Sequence, residues 1–282
     1  MERACLNRAI GVIDSGVGGL TVANELMRQL PNEKLIYVGD TLRCPYGPRT
    51  KEEVMQYTLE MVQFLMKHNV KMIVVACNTA TAFSIKHLKE ILSIPVIGVI
   101  QPGARATINA TRNSEVGVIG TIGTIRSNAY VKALKKINQE LKITTLACPK
   151  FVPLVESGIT SGEQAYSIIK DTLQPLMQTN IDTLVLGCTH YPLLGQLIQD
   201  VMGEAVSIIS SSEETAREVG VVLELHDVLQ KEKYNFSHTF YTTGDVNHFE
   251  NLSNLIFENK FYKCRQIDIE QSKLKNTRTI KM

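Results

Sequence analysis

Val75-Ala76-Cys77-Asn78-Thr79-Ala80 closes one apolar run, and Leu186-Gly187-Cys188-Thr189-His190-Tyr191-Pro192 closes another in the same way. Each run has the length and apolar character of a buried strand, and each leads through small polar residues into a helical pattern. Both thiols are therefore predicted to sit in turns that open onto helix N-termini. Orphan N–H groups and the positive end of the helix dipole favour a thiolate there, so both are expected to titrate below the free value of about 8.5. One such cysteine suggests a nucleophile, whereas two in matching settings suggest a symmetric task.

Working outward, Gly11-Val12-Ile13-Asp14-Ser15-Gly16-Val17-Gly18 finds a counterpart in Gly117-Val118-Ile119-Gly120-Thr121-Ile122-Gly123-Thr124, each a similar distance ahead of its cysteine. The chain reads as a diverged duplication whose halves would face each other across a cleft. Strand-length apolar runs recur at 9–13, 35–38, 72–76, 95–100, 116–119, 143–147, 183–187 and 206–209, most of them separated by helical patterns. That alternation predicts an α/β fold: two pseudo-symmetric, doubly wound lobes with mainly parallel sheets and the active site between them. The Pro102-Gly103 break marks the boundary, so residues 1–98 form the first lobe and 99–207 the second. Residues 208–264 then return to the first lobe, with a helix from the Ser210-Ser211-Ser212-Glu213-Glu214 cap to about Gln230. Residues 265–282 form a C-terminal tail, polar and basic from Gln271 onward and expected to fray.

The 282 residues suffice for two cores, and 44% hydrophobic content fits a globular protein. A net charge of +2, from 30 basic against 28 acidic residues spread along the chain, singles out neither nucleic acid nor membrane as a partner. Neither a signal peptide nor an apolar stretch near the roughly 18 residues that span a bilayer is present, so a soluble cytoplasmic protein is expected. The six cysteines, at 5, 44, 77, 148, 188 and 264, show no C-x-x-C spacing and are expected to be free thiols. Those other than Cys77 and Cys188 read as structural or incidental.

Asp14-Ser15-Gly16-Val17-Gly18-Gly19-Leu20 lets backbone N–H groups approach a small anion, but Thr21 stands where a dinucleotide loop needs glycine, and the P-loop Lys-Ser/Thr pair is missing. Asp14 either points into the strand-end crevice or caps the following helix. Asp40, with Arg43 and Pro45-Tyr46-Gly47-Pro48 after it, ends the next strand in a turn that either presents N–H groups and the Tyr46 hydroxyl to an anion or is simply tight. A zinc site of Cys77, Cys188 and His190 competes on ligand type, and a Cys–His acyl-transfer nucleophile would leave one thiol without a task. Glu156 either orients His190 or is a surface carboxylate.

Taken together, the Asp14–Leu20 loop, Gly39-Asp40 with Pro45-Tyr46-Gly47, Ala76–Thr81 and Gly187–Leu194 resemble the glutamate branch of the cofactor-independent aspartate/glutamate racemase superfamily, over roughly residues 10–245. The resemblance implies 1,1-proton transfer at the α-carbon of glutamate, supplying D-glutamate for peptidoglycan, with no cofactor and no metal. It implies that Cys77 takes the α-proton from the D enantiomer and Cys188 from the L enantiomer. Asp14 and His190 would assist the thiols, with Asp40 and Glu156 as supporting acids. Asp14, Ser15, Tyr46, Gly47, Asn78, Thr79, Thr121, Thr189 and His190 would grip the substrate, and the enzyme would be a homodimer. Facing thiols suit the chemistry, since inversion needs a base on one face of the carbon and an acid on the other. The rival readings are a racemase for aspartate or a related acid, a two-lobed amino-acid-binding protein, and a zinc hydrolase.

Overall fold

The structure, a computed structural model, describes residues 6–257 and 263–269, and among the described residues ten strands form two wholly parallel sheets. The first half runs β1 (Ile10–Asp14), α1 (Leu20–Gln29), β2 (Leu35–Gly39), α2 (Lys51–Lys67), β3 (Met72–Val75), α3 (Asn78–Ile91), β4 (Val96–Gly98) and α4 (Ile100–Ala110). The second runs β5 (Glu115–Gly120), α5 (Ile122–Arg126), α6 (Ala129–Ile137), β6 (Lys142–Ala147), α7 (Phe151–Glu156), α8 (Glu163–Met177), β7 (Thr183–Gly187), a 3₁₀ turn (Tyr191–Leu194), α9 (Gly195–Met202) and β8 (Ser207–Ser210). The chain ends with α10 (Ser212–Leu225), β9 (Thr239–Thr242), α11 (Val246–Phe257) and β10 (Cys264–Gln266).

The sheet orders are β10-β9-β2-β1-β3-β4 and β6-β5-β7-β8. Removing the β9–β10 edge leaves the same order in both, with β1 answering β5, β2 answering β6, β3 answering β7 and β4 answering β8. The duplication seen in the sequence is thus a duplication of topology. Side chains of each central strand alternate between two cores: Ile10 and Val12 pack with Leu20, Leu26 and Phe240, while Ile13 packs with Val54, Met61 and Leu65. Leu184 and Leu186 of β7 likewise face Phe151 and Ile169, and Val185 faces Val118 and Leu134. Burial on both faces explains why these strands read as unbroken apolar runs rather than as alternation.

Two strands had no signal. β9 is a half-buried Thr-Phe-Tyr-Thr and β10 an edge Cys-Arg-Gln, paired in parallel to β2 and to each other and anchored in the core through Phe240 and Cys264. β10 takes in Arg265 and Gln266, at the start of the expected tail; residues 271–282 lie outside the described residues. The helix expected to run to Gln230 stops at Leu225, where Asp227 adopts the left-handed conformation (φ 54°). The Asp227 and Val228 amides donate to the Glu224 and Leu223 carbonyls, a Schellman closure built without glycine. Among the described residues no helix is long and apolar enough to cross a membrane.

Candidate active site

Strand ends of both sheets meet at a small, nearly closed pocket lined by Cys77 and Cys188 together with Ser15, Tyr46, Gly47, Asn78, Thr79, Thr121, Thr189 and His190. Each thiol follows the third strand of its half, and both are buried. The halves touch reciprocally. The carboxylate of Asp14, at the end of β1, accepts a bond of 3.2 Å from the Thr189 hydroxyl after β7. Thr121, after β5, shares a hydroxyl bond of 2.9 Å with Thr79, two residues beyond Cys77. The Gly123 amide adds a bond to the Gly47 carbonyl at 2.9 Å.

The two thiols differ more than their sequences suggest. Cys77 is the N-cap residue of α3, and its Sγ accepts the Ala80 amide at 3.4 Å and lies 3.5 Å from the Ser15 hydroxyl. The expected lowering of its pKa is overturned. Burial and the nearby Asp14 carboxyl outweigh those two hydrogen bonds and push the thiol up to about 12. Cys188 is not at the mouth of an α-helix: Pro192 sits in a 3₁₀ turn, and α9 begins only at Gly195. Its polar neighbour is instead His190 Nδ1 at 3.9 Å.

Three predicted acids stand behind the pocket rather than in it. Glu156 Oε1 accepts His190 Nε2 at 2.6 Å, so of its two readings the one that orients His190 fits the geometry. Burial opposes a charged imidazole, yet the bonds to Cys188 and Glu156 win and hold the His190 pKa well above its ordinary value. Glu156 is lowered despite its burial, chiefly through His190. Asp14 accepts the Gly16 and Gly19 amides, each at 3.0 Å, closing the glycine turn, and burial raises its pKa against the pull of His190. Asp40 accepts the hydroxyls of Tyr46 and Thr243 and the Arg43 guanidinium at 2.6 Å. The Tyr46 hydroxyl proton is thereby donated to Asp40, while Tyr46 itself lines the pocket.

Tyr130 escaped the sequence reading because on an amphipathic helix it is indistinguishable from core. Its hydroxyl donates to Asn78 Oδ1 at 2.8 Å, which fixes the amide and leaves the buried Asn78 Nδ2, on the pocket wall, with no partner. Tyr130→Phe is expected to lower stability by about 1–3 kcal/mol, since it strands a buried acceptor. A urea midpoint equal to that of the wild type would contradict the bond. The proposed Cys77, Cys188, His190 metal set does not form. Among the described residues, the metal-competent donors that gather within 4.8 Å belong to Cys44, Glu156 and His190.

Residues 10–219 match the family model described as Asp/Glu/Hydantoin racemase. A glutamate racemase of Oceanobacillus iheyensis is 56% identical over 95% of this chain and all of its own length. A glutamate racemase isoform of Bacillus anthracis superposes with a TM-score of 0.89 at 49% identity, covering 93% of this chain and 97% of that one. The Francisella tularensis glutamate racemase in complex with D-glutamate gives a TM-score of 0.87 at 34% identity, with 94% and 99% covered. With its paired sheets, its two thiols on one pocket and a family match over most of its length, this chain belongs to the Asp/Glu/hydantoin racemase family.

Proposed function

We propose that this protein interconverts L- and D-glutamate by moving one proton off the α-carbon and another onto its opposite face. The observation that carries the reading is that Cys77 and Cys188, from equivalent positions of the two halves, line the same pocket. Its relatives at 56% and 53% identity are glutamate racemases.

Cys188, with the His190 imidazolium beside it, takes the α-proton of L-glutamate as a thiolate. Cys77, held as a thiol by its burial, delivers a proton from the other side. The reverse reaction exchanges the roles. Removing the weakly acidic α-proton builds negative charge on the adjacent carboxylate. The Asn78 Nδ2 and the Thr79 and Thr121 hydroxyls meet that charge, in sites where one donor is typically worth about 3–4 kcal/mol. Ser15 and Gly47 complete the grip, Asp14 holds the loop carrying Ser15, and Asp40 and Glu156 fix Tyr46 and His190. The product serves peptidoglycan synthesis, and the enzyme works in the cytoplasm as a homodimer.

L-Glutamate incubated with chelator-treated protein in D₂O is expected to lose its circular dichroism completely while deuterium enters the α-position by NMR. A stable signal with glutamate, and then with aspartate, would return the chain to the binding-protein reading.

A further inference from the structure

Beside the proton-transfer pocket lies a donor cluster that the reaction does not use as such. Cys44, in the loop after β2, points its Sγ at Glu156 Oε1, 3.7 Å away, and the same oxygen holds His190 Nε2 at 2.6 Å. The other Glu156 oxygen meets His248 Nε2 at 3.3 Å. Gly16 makes room for the cluster, for a Cβ there would lie 3.1 Å from Glu156 Oε1 and 3.2 Å from Cys44 Sγ. Thiolate, two imidazoles and a carboxylate are the donors that divalent zinc takes tetrahedrally, with arms of about 2.0–2.3 Å. The Cys44–Glu156 spacing already suits two such arms, and the His190–Glu156 pair need open by only about 1 Å. A cation has a way in, because His248 is 49% exposed and Glu156 20% exposed at the rim.

We propose that a zinc-like divalent cation bound by Cys44, Glu156 and His190, whose donor atoms lie within 4.8 Å of one another, with the half-exposed His248 turning in from the rim as the fourth donor, staples the two lobes together and arrests turnover. Cys44 belongs to the first half of the chain, and Glu156 and His190 to the second. A metal shared between them ties down the opening through which substrate and product must pass, and fixes the imidazole that serves Cys188. Binding releases the Cys44 thiol proton and the His190 Nε2 proton to solvent, and no bond to substrate is involved. The arrest rests on the racemase reading above, whereas the site itself does not.

The test uses metal-free full-length protein with one equivalent of Zn²⁺ or Co²⁺. Zinc is expected to stop racemisation, reversibly with chelator. Cys44→Ser should racemise normally without metal and resist zinc. Cobalt should give a thiolate-to-metal charge-transfer absorption in the wild type and in Cys188→Ser, but not in Cys44→Ser. Absence of that absorption, or its survival in Cys44→Ser, overturns the site. Cobalt held by Cys44 without any loss of rate under zinc overturns the arrest. Metal-free protein that racemises nothing overturns the functional reading instead, while the cobalt absorption still decides the site.

Discussion

Cys77→Ser and Cys188→Ser are each expected to lower racemisation by about 10²- to 10⁴-fold, the range for losing a positioned proton-transfer group. A serine hydroxyl cannot replace a thiol as base or acid near neutrality, yet it fits the same space. At position 77 it is also a strong N-cap, so α3 keeps the contact that Cys77 Sγ makes with the Ala80 amide. Calorimetry should therefore find glutamate binding preserved in both variants. The sharper readout is exchange without inversion. In D₂O, Cys188→Ser retains the thiol on one face and should put deuterium into D-glutamate faster than it makes L-glutamate, and Cys77→Ser should do the converse. Full racemisation by either variant would sink the two-thiol mechanism.

Gly18→Ala should cost about 100-fold in kcat/KM, the scale of a misplacement near 1 Å at a reacting centre. An added Cβ would lie 2.5 Å from His190 Nδ1, 2.7 Å from Thr189 Oγ1 and 2.8 Å from the His190 backbone nitrogen. The last is main chain and cannot swing aside, so the segment carrying Cys188 must move away from the first lobe. Forcing that gap should also cost about 1–3 kcal/mol of stability, as overpacking does. Gly195→Ala is the control: it opens α9 with nothing within 4 Å of its Cβ, and it should leave both activity and stability near wild type. If Gly18→Ala behaves like Gly195→Ala, then the lobes are not in the close contact described.

Among the described residues eight strands, and the cysteines that follow two of them, were legible: six are buried on both faces and read as unbroken apolar runs, while the partly buried β6 and β8 showed through Ile143, Leu146, Ile208 and Ile209. β9 and β10 were not, since Thr, Arg and Gln break up the apolar signal of these short runs even though Phe240 and Cys264 reach the core. At the site, residue types were readable and their directions were not. Tyr46 was singled out for its hydroxyl, and only folding shows that the O–H goes to Asp40. The sign of the Cys77 shift failed for a related reason: a helix N-terminus lowers a thiol's pKa only while water remains, and at 4% exposure desolvation dominates. Tyr130, Cys44 and His248 are far in sequence from the residues they touch, and no local pattern announces them.

The two halves surround their thiols with unlike chemistries, with Cys77 beside a serine hydroxyl and Cys188 beside an imidazolium. The substrates impose a stricter symmetry than the protein has, because mirror-image molecules in water have equal free energy. The equilibrium constant is therefore one, and kcat/KM must be identical in the two directions however unlike the thiols are. Any advantage the imidazolium gives to one enantiomer can appear only as a larger kcat matched by an equally larger KM. The inequality of the two halves sets how saturated the enzyme is with each enantiomer, and never which one it favours.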